Sequence, residues 1–369
     1  MKKLLFFIFL IALSGWAGAA GTKSAFAAEN TSPLVSSELV QEAGWTYNWQ
    51  MNLPLEKNET IDRMAVLGPN LFIMTDTNVM FCIDRDSGRA RFTKQLGASN
   101  LPVQRPYFYD NQFWFMVGSE LLVFDPAVGD FVVNEKIDRI GTGARCELAR
   151  NKKFIYISGS DNRIHAINAD GFWQQFTATA DNDSAIVSIV ATDNIVVFAT
   201  QAGNVVGMNP EKPEKLWQFD TTGEIKGQLV LDNKDIYVGS FDTKLYKLSL
   251  KGKLLWKAPF HSGAPIRDSF TVGSHIVYLY NELNGLYGIN KQTGTAVWQV
   301  PLGKAMICET PEKGFVFVTP GMVKVMNNRT GRELYSVNCS DVELYARNTT
   351  DATMYVADRK GRLMSITVQ

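Results

Sequence analysis

Five basic side chains recur at one position of a repeating pattern: Arg63, Arg105, Arg145, Lys226 and Arg267, with Val187, Met306 and Leu344 filling the other places of the column. Cations gathered on one rim at about 10 Å spacing repel by several tenths of a kcal/mol per pair even in water, so they require anionic partners. The chain can supply these itself, through Asp62, Glu147, Asp268 and Glu309, which lie close in sequence. Alternatively, the column receives an anion from outside, through charge-assisted hydrogen bonds. That anion would be a carboxylate of a partner loop, or an anionic small molecule or glycan in a central channel.

Other chemistry finds little support in the residues. The three histidines, His165, His261 and His275, fall in different repeats without metal-ligand spacing. His165 occupies a column held elsewhere by Phe81, Tyr246 and Tyr287, which reads as a packed side chain. Cys82, Cys146, Cys308 and Cys339 form no CxxC pair and read as buried thiols. There is no nucleophile elbow and no phosphate loop. The reading is a non-enzyme with no metal and no cofactor.

The elements that must position the basic column come from a repeat of about 41 residues. An apolar strand, a Gly/Ser/Asp turn, a second apolar strand, a Thr-Gly-type turn and an aromatic strand follow one another eight times. In the second strand, Met80, Leu121, Ile164, Val205, Leu245, Leu286, Val323 and Leu363 form one column. Three residues on, Ile83, Phe124, Ile167, Met208, Leu248, Ile289, Met326 and Ile366 form another. Positions three apart on a strand face opposite ways, so these strands are apolar on both sides and must lie between neighbouring sheets. The pattern predicts an all-β, eight-bladed propeller of four-stranded antiparallel blades.

The outermost strands carry Phe92, Phe131, Trp173, Trp217, Trp256, Trp298 and Tyr335, and the last repeat stops one strand short. The segment from Trp45 to Gln50 has the missing character, so Trp49 is expected to latch the ring by pairing with the C-terminal blade. Trp49, Trp217, Trp256 and Trp298 are therefore read as structural. No helix is expected beyond the first residues.

Lys2 and Lys3, an apolar run from Leu4 to Leu13 and Ala25-Phe26-Ala27 read as an export signal over residues 1–27. Residues 28–43 are read as a linker and 44–369 as the propeller. The first 27 residues hold three lysines and no acid, leaving 34 basic and 37 acidic side chains. A negative balance argues against nucleic acid as a partner. No later stretch is apolar enough to span a bilayer.

The turn Tyr237-Val238-Gly239-Ser240-Phe241-Asp242, the strand Leu245-Tyr246-Lys247-Leu248 and the run Gly252 to Trp256 resemble the pyrroloquinoline-quinone-type propeller repeat. This family includes quinoprotein alcohol dehydrogenases and the BamB outer-membrane assembly lipoproteins, and the length and blade count are similar to the latter. The dehydrogenases commonly carry adjacent cysteines and calcium ligands on long loops; this chain has neither adjacent cysteines nor long loops. The resemblance implies a non-catalytic, exported scaffold in the periplasm or at the outer-membrane periphery of a Gram-negative-type bacterium. It implies a monomer whose protein partner at the cell envelope belongs to the β-barrel assembly machinery. The connection at Arg267 and Asp268 is comparable to the loops through which BamB engages its partner. No lipoprotein cysteine is seen at the predicted cleavage site.

Overall fold

The computed structural model describes residues 32–267 and 270–369. The export signal read over 1–27 lies outside the described residues, as does Asp268. Eight separate four-stranded antiparallel sheets follow one another along the chain. In the first seven, strand order is sequence order; blade one runs Ile61–Leu67, Asn70–Thr75, Val79–Asp84 and Ala90–Gln95. The eighth consists of Leu344–Ala346, Thr353–Ala357 and Arg362–Thr367, with Thr46–Asn52 as its outer strand. The pairings Trp49↔Ser365 and Met51↔Leu363 close the ring as the sequence predicts. Closure removes the pair of open sheet edges that an unclosed propeller would expose.

The doubly apolar strands are buried along their central residues, as in Val79–Asp84 and Arg163–Asn168, and the strands before them, such as Asn70–Thr75 and Phe154–Ser158, are buried throughout. Each core lies between adjacent blades; Phe72 of blade one meets Phe113 of blade two at a ring separation of 4.2 Å. A tryptophan on the outer strand reaches into the following blade in a recurring manner. The indole N–H of Trp49 donates to the Arg85 carbonyl at 2.9 Å, that of Trp217 to Leu250 at 2.8 Å and that of Trp256 to Lys291 at 3.1 Å. Each ring covers a turn glycine of positive φ: Gly88, Gly252 and Gly294. A Cβ at these glycines would sit 2.5–2.6 Å from the indole, so bare backbone is what lets the ring in.

One aromatic assignment needs correction, at Trp173, while Phe131 lies in its outer strand as predicted but off the docking position. The docking position is set by pairing opposite the third strand, as in Gly207↔Trp217 and Gly288↔Trp298. In blades two and three the equivalent residues are Val133 and Phe176, opposite Val123 and Ala166. Phe131 stays in its outer strand, Asp130–Lys136, but one step off this register. Trp173 precedes its strand, Gln174–Thr179, and is 54% exposed.

The segment read as a linker contains a helix, Ser37–Glu42, capped by the Ser36 hydroxyl accepting from the Leu39 amide. Leu34, Val35, Val40 and Trp45 are buried against blades seven and eight, and the Trp45 indole donates to the Tyr335 hydroxyl at 3.1 Å. Six helical residues are too few to register as a period in the sequence. All four cysteines are free and buried. Burial pushes the thiols of Cys82, Cys146 and Cys339 up to about 12, so they act as small apolar groups.

Candidate functional site: a basic collar at the channel mouth

The members of the basic column lie in or just before the first strand of their blades. Three members are fixed by the same inter-blade hydrogen bond one residue earlier: Ala144 to the Gly118 carbonyl, Ile225 to Gln201, and Ile266 to Ser240. Arg145, Lys226 and Arg267 follow these anchors and are exposed. Arg63 comes after a bulge at Asp62, in a ladder that runs Ile61↔Thr75 and then Arg63↔Met74. Arg105 follows an isolated bridge, Val103↔Val117.

Four of the five cations have a carboxylate nearby. Arg63 lies 3.9 Å from Asp62, Arg105 3.6 Å from Glu147, Lys226 3.3 Å from Glu224 and Arg267 3.9 Å from Glu282. Arg145 donates instead to the Ser160 carbonyl at 3.1 Å. The separations are those of loose, hydrated pairs. Asp62 and Glu147 thus act as the sequence suggests. Glu309 does not: it is buried far along its strand, bonded to Tyr278 and to the Ser274 amide. The phenyl ring of Phe241 lies beneath both Lys226, at 4.5 Å, and Arg267, at 5.1 Å, a second tether that costs no positive charge.

Glu147 is where inner strands from different blades converge. Gln228 of blade five hydrogen-bonds its carboxyl, and Arg63 of blade one and Arg105 of blade two act on it through their charge. Burial nevertheless raises its pKa, outweighing the guanidinium groups. Burial also depresses the Arg63 pKa, and the Arg63 Nε has no hydrogen-bond acceptor while Nη2 donates to the Val103 carbonyl at 2.6 Å. A cavity of about 300 Å³ opens beside this group, lined by Tyr107, Glu147, Ser188, Gln228 and neighbouring strand residues.

The sign of the Glu147 shift gives a test. A carboxyl whose folded pKa lies above its unfolded one weakens the fold as pH climbs from the unfolded value through the folded one. Glu147→Gln is therefore expected to raise the melting temperature by about 1–3 °C at pH 7.5, with the gain shrinking as pH falls toward 5. Thermal melts of both proteins across that range check it; a pH-independent difference would remove the argument.

The innermost strand bulges in blades one, four and seven, at Asp62, Val187 and Lys304. Val187 falls in the bulge between Ile186 and Ser188, and in blade seven the corresponding residue between Gly303 and Ala305 is Lys304. Met306, assigned there from sequence, is fully buried core. Lys304 is exposed, with its ammonium 2.8 Å from the Tyr280 hydroxyl. Only the shared bulge could have revealed it, and sequence does not display bulges. Leu344 is half-buried.

The histidines do not converge. His165 is buried, its Nε2 3.2 Å from Asp161 and its Nδ1 3.2 Å from Gln174, so it props a turn aspartate. Tyr246 serves Asp242 in the same way in blade five. His261 meets the Thr243 hydroxyl at 3.0 Å. Among the described residues no three His, Cys, Asp or Glu side chains gather as a metal set, and no helix is long and apolar enough to cross a membrane.

A family model described as outer membrane protein assembly factor BamB matches residues 40–218 and 160–309. No curated protein matches by sequence. Among solved structures, the computationally designed Ika8 protein superposes with a TM-score of 0.66 at 16% identity, covering 86% of this chain and 98% of its own. BamB from Moraxella catarrhalis gives 0.64 at 12% identity, covering 88% and 99%. At these identities the structural likenesses speak for the fold.

Proposed function

Because the chain belongs to the family of the outer membrane protein assembly factor BamB, we propose that it is an exported protein-interaction scaffold of the cell envelope that assists outer-membrane protein assembly. The family matches a scaffold that binds protein, and a propeller suits that task by holding loops rigidly on a disc face. The observation that carries the reading is the collar: Arg105 and Arg267 are 57% and 54% exposed at their side chains and lie 3.6 and 3.9 Å from their carboxylates. An incoming acidic loop can exchange for such partners at little cost, because solvent-exposed pairs contribute about 0–1 kcal/mol. Bidentate guanidinium contacts then fix its orientation.

The test is capture from the envelope fraction by the immobilised protein, with identification of what is retained. Arg105→Ala/Arg267→Ala is expected to leave the melting temperature within about 1 °C, since neither side chain is buried. The same variant should lower partner capture about tenfold or more. Undiminished capture by a folded double variant would make the collar purely structural. Recovery of no protein, with an anionic small molecule bound instead, would transfer the site to the channel-ligand reading.

A further inference from the structure

One sector of the chain carries a marked excess of positive charge over a long stretch. Residues 243–308, covering the outer half of blade five, blade six and the start of blade seven, contain eight basic and two acidic side chains, a balance of +6. Everything else after residue 27 holds 26 basic and 35 acidic side chains, a balance of −9. Between Asp242 and Asp268 there is no acid at all.

Within that sector the cations divide by partner. Lys247 pairs with Asp235 at 2.8 Å, Lys291 with Asp232 at 2.6 Å and Arg267 with Glu282 at 3.9 Å. Lys251, Lys253 and Lys257 are exposed and, among the described residues, have no carboxylate partner. All three lie on the rim of blade five, where the outer strand is irregular. On its outer side the third strand, Lys244–Ser249, pairs with Phe260–His261 and, through a bridge from Leu248 to Leu254 and the hydrogen bonds Ser249 to Lys253 and Leu255 to Lys247, with the segment before it. Leu254 and Leu255 stand between the lysines, 37% and 45% exposed. The outer strand of blade six beside it, Ala296–Val300, carries no charge.

We propose that the rim of blade five is a docking strip for an anionic phospholipid bilayer, against which the disc rests edge-on. The chemistry favours lipid over an acidic polypeptide. Free lysines on flexible stems are point charges without the fork geometry that selects a particular carboxylate. A rim is convex and offers no pocket for a side chain, whereas a bilayer surface supplies many anions and accepts two leucines at the headgroup level. The net negative balance of the rest of the molecule, −9, favours this orientation over others.

Vesicle cosedimentation with the intact protein tests this. Binding is expected to phosphatidylethanolamine/phosphatidylglycerol vesicles in 50 mM salt, with little to phosphatidylcholine alone, and loss of most binding in 0.5 M salt, because salt screens exposed charges. Each lysine near such a surface strengthens partition about fivefold, so Lys251→Gln/Lys253→Gln/Lys257→Gln is expected to weaken it about 100-fold. These side chains are exposed, so the variant should melt with the wild type. Leu254→Ser/Leu255→Ser should weaken binding further at fixed charge, while Arg105→Ala should leave it unchanged. That last control separates the strip from the collar. Equal binding by the triple variant, or none by the wild type, overturns the proposal; retention on an immobilised acidic polypeptide without vesicle binding would do the same and point to a protein.

Discussion

Trp49→Ala is expected to lower the free energy of unfolding by about 3–5 kcal/mol, the largest effect of any outer-strand truncation in this ring. Its indole is 8% exposed, donates to the Arg85 carbonyl and covers Gly88, with the Tyr355 ring 6.1 Å away. Arg85 in turn pairs with Asp351 and donates to the Thr350 hydroxyl at 3.0 Å. One side chain therefore joins the outer strand of blade eight to blade one at the seam. Trp217 and Trp256 make the same contacts, but the blades they join are also consecutive in the chain. The strand that carries Trp49 continues directly into blade one but is held to the rest of blade eight only by its ladder with Arg362–Thr367, so loosening at Trp49 is felt by both blades. Urea unfolding measures the loss, and hydrogen exchange should show Thr46–Asn52 and Arg362–Thr367 opening first. A midpoint shift worth under about 1 kcal/mol would mean that the seam is held elsewhere.

The second large effect is expected at Glu309. Its carboxylate is 5% exposed and accepts from the Tyr278 hydroxyl at 2.7 Å and from the Ser274 amide. Tyr278 also accepts from Asn328 at 3.1 Å, and Asn328 accepts from the Trp298 indole at 3.2 Å. Glu309→Ala leaves the buried Tyr278 hydroxyl and the part-buried Ser274 amide without their acceptor, at a cost of about 3 kcal/mol. Tyr278→Phe alone should cost less, and the pair should be less damaging than the sum, because the second change removes a donor the first has orphaned. Chemical denaturation of the two single variants and the double variant measures the coupling. Strict additivity would show that the four groups do not act as one network. Partner capture should be unaffected, since Glu309 lies away from the collar.

Blade number, strand order and ring closure are legible in the sequence because each arises from a repeated burial requirement: eight copies average out any local irregularity. Individual positions are less legible. In blades two and three the docking position is held by Val133 and Phe176 rather than by Phe131 and Trp173, although the outer-strand bulge there is the same one that blades one, four, six and seven carry. The inner strands of blades one, four and seven also bulge, at Asp62, Val187 and Lys304, so the place of a basic residue relative to the ladder varies from blade to blade. A bulge changes the facing of everything beyond it while leaving composition untouched. Asp62 and Glu147 were readable as neutralising groups because they lie within two residues of the column. Glu309 was not, since sequence proximity does not tell which end of a strand faces the rim. Phe241 lies outside the column altogether, in a turn, and only the fold brings it under Lys226 and Arg267.

The pairing of Thr46–Asn52 with Arg362–Thr367 also orders events in time. Seven sheets can assemble in succession as the polypeptide is supplied, each on the one before. The first lacks its flanking neighbour until the final strand has been delivered, and the earliest segment must wait, uncommitted, for the latest. Completion of the circle is thus the slow, long-range step, and any chaperone that shields the waiting segment governs the yield of native protein.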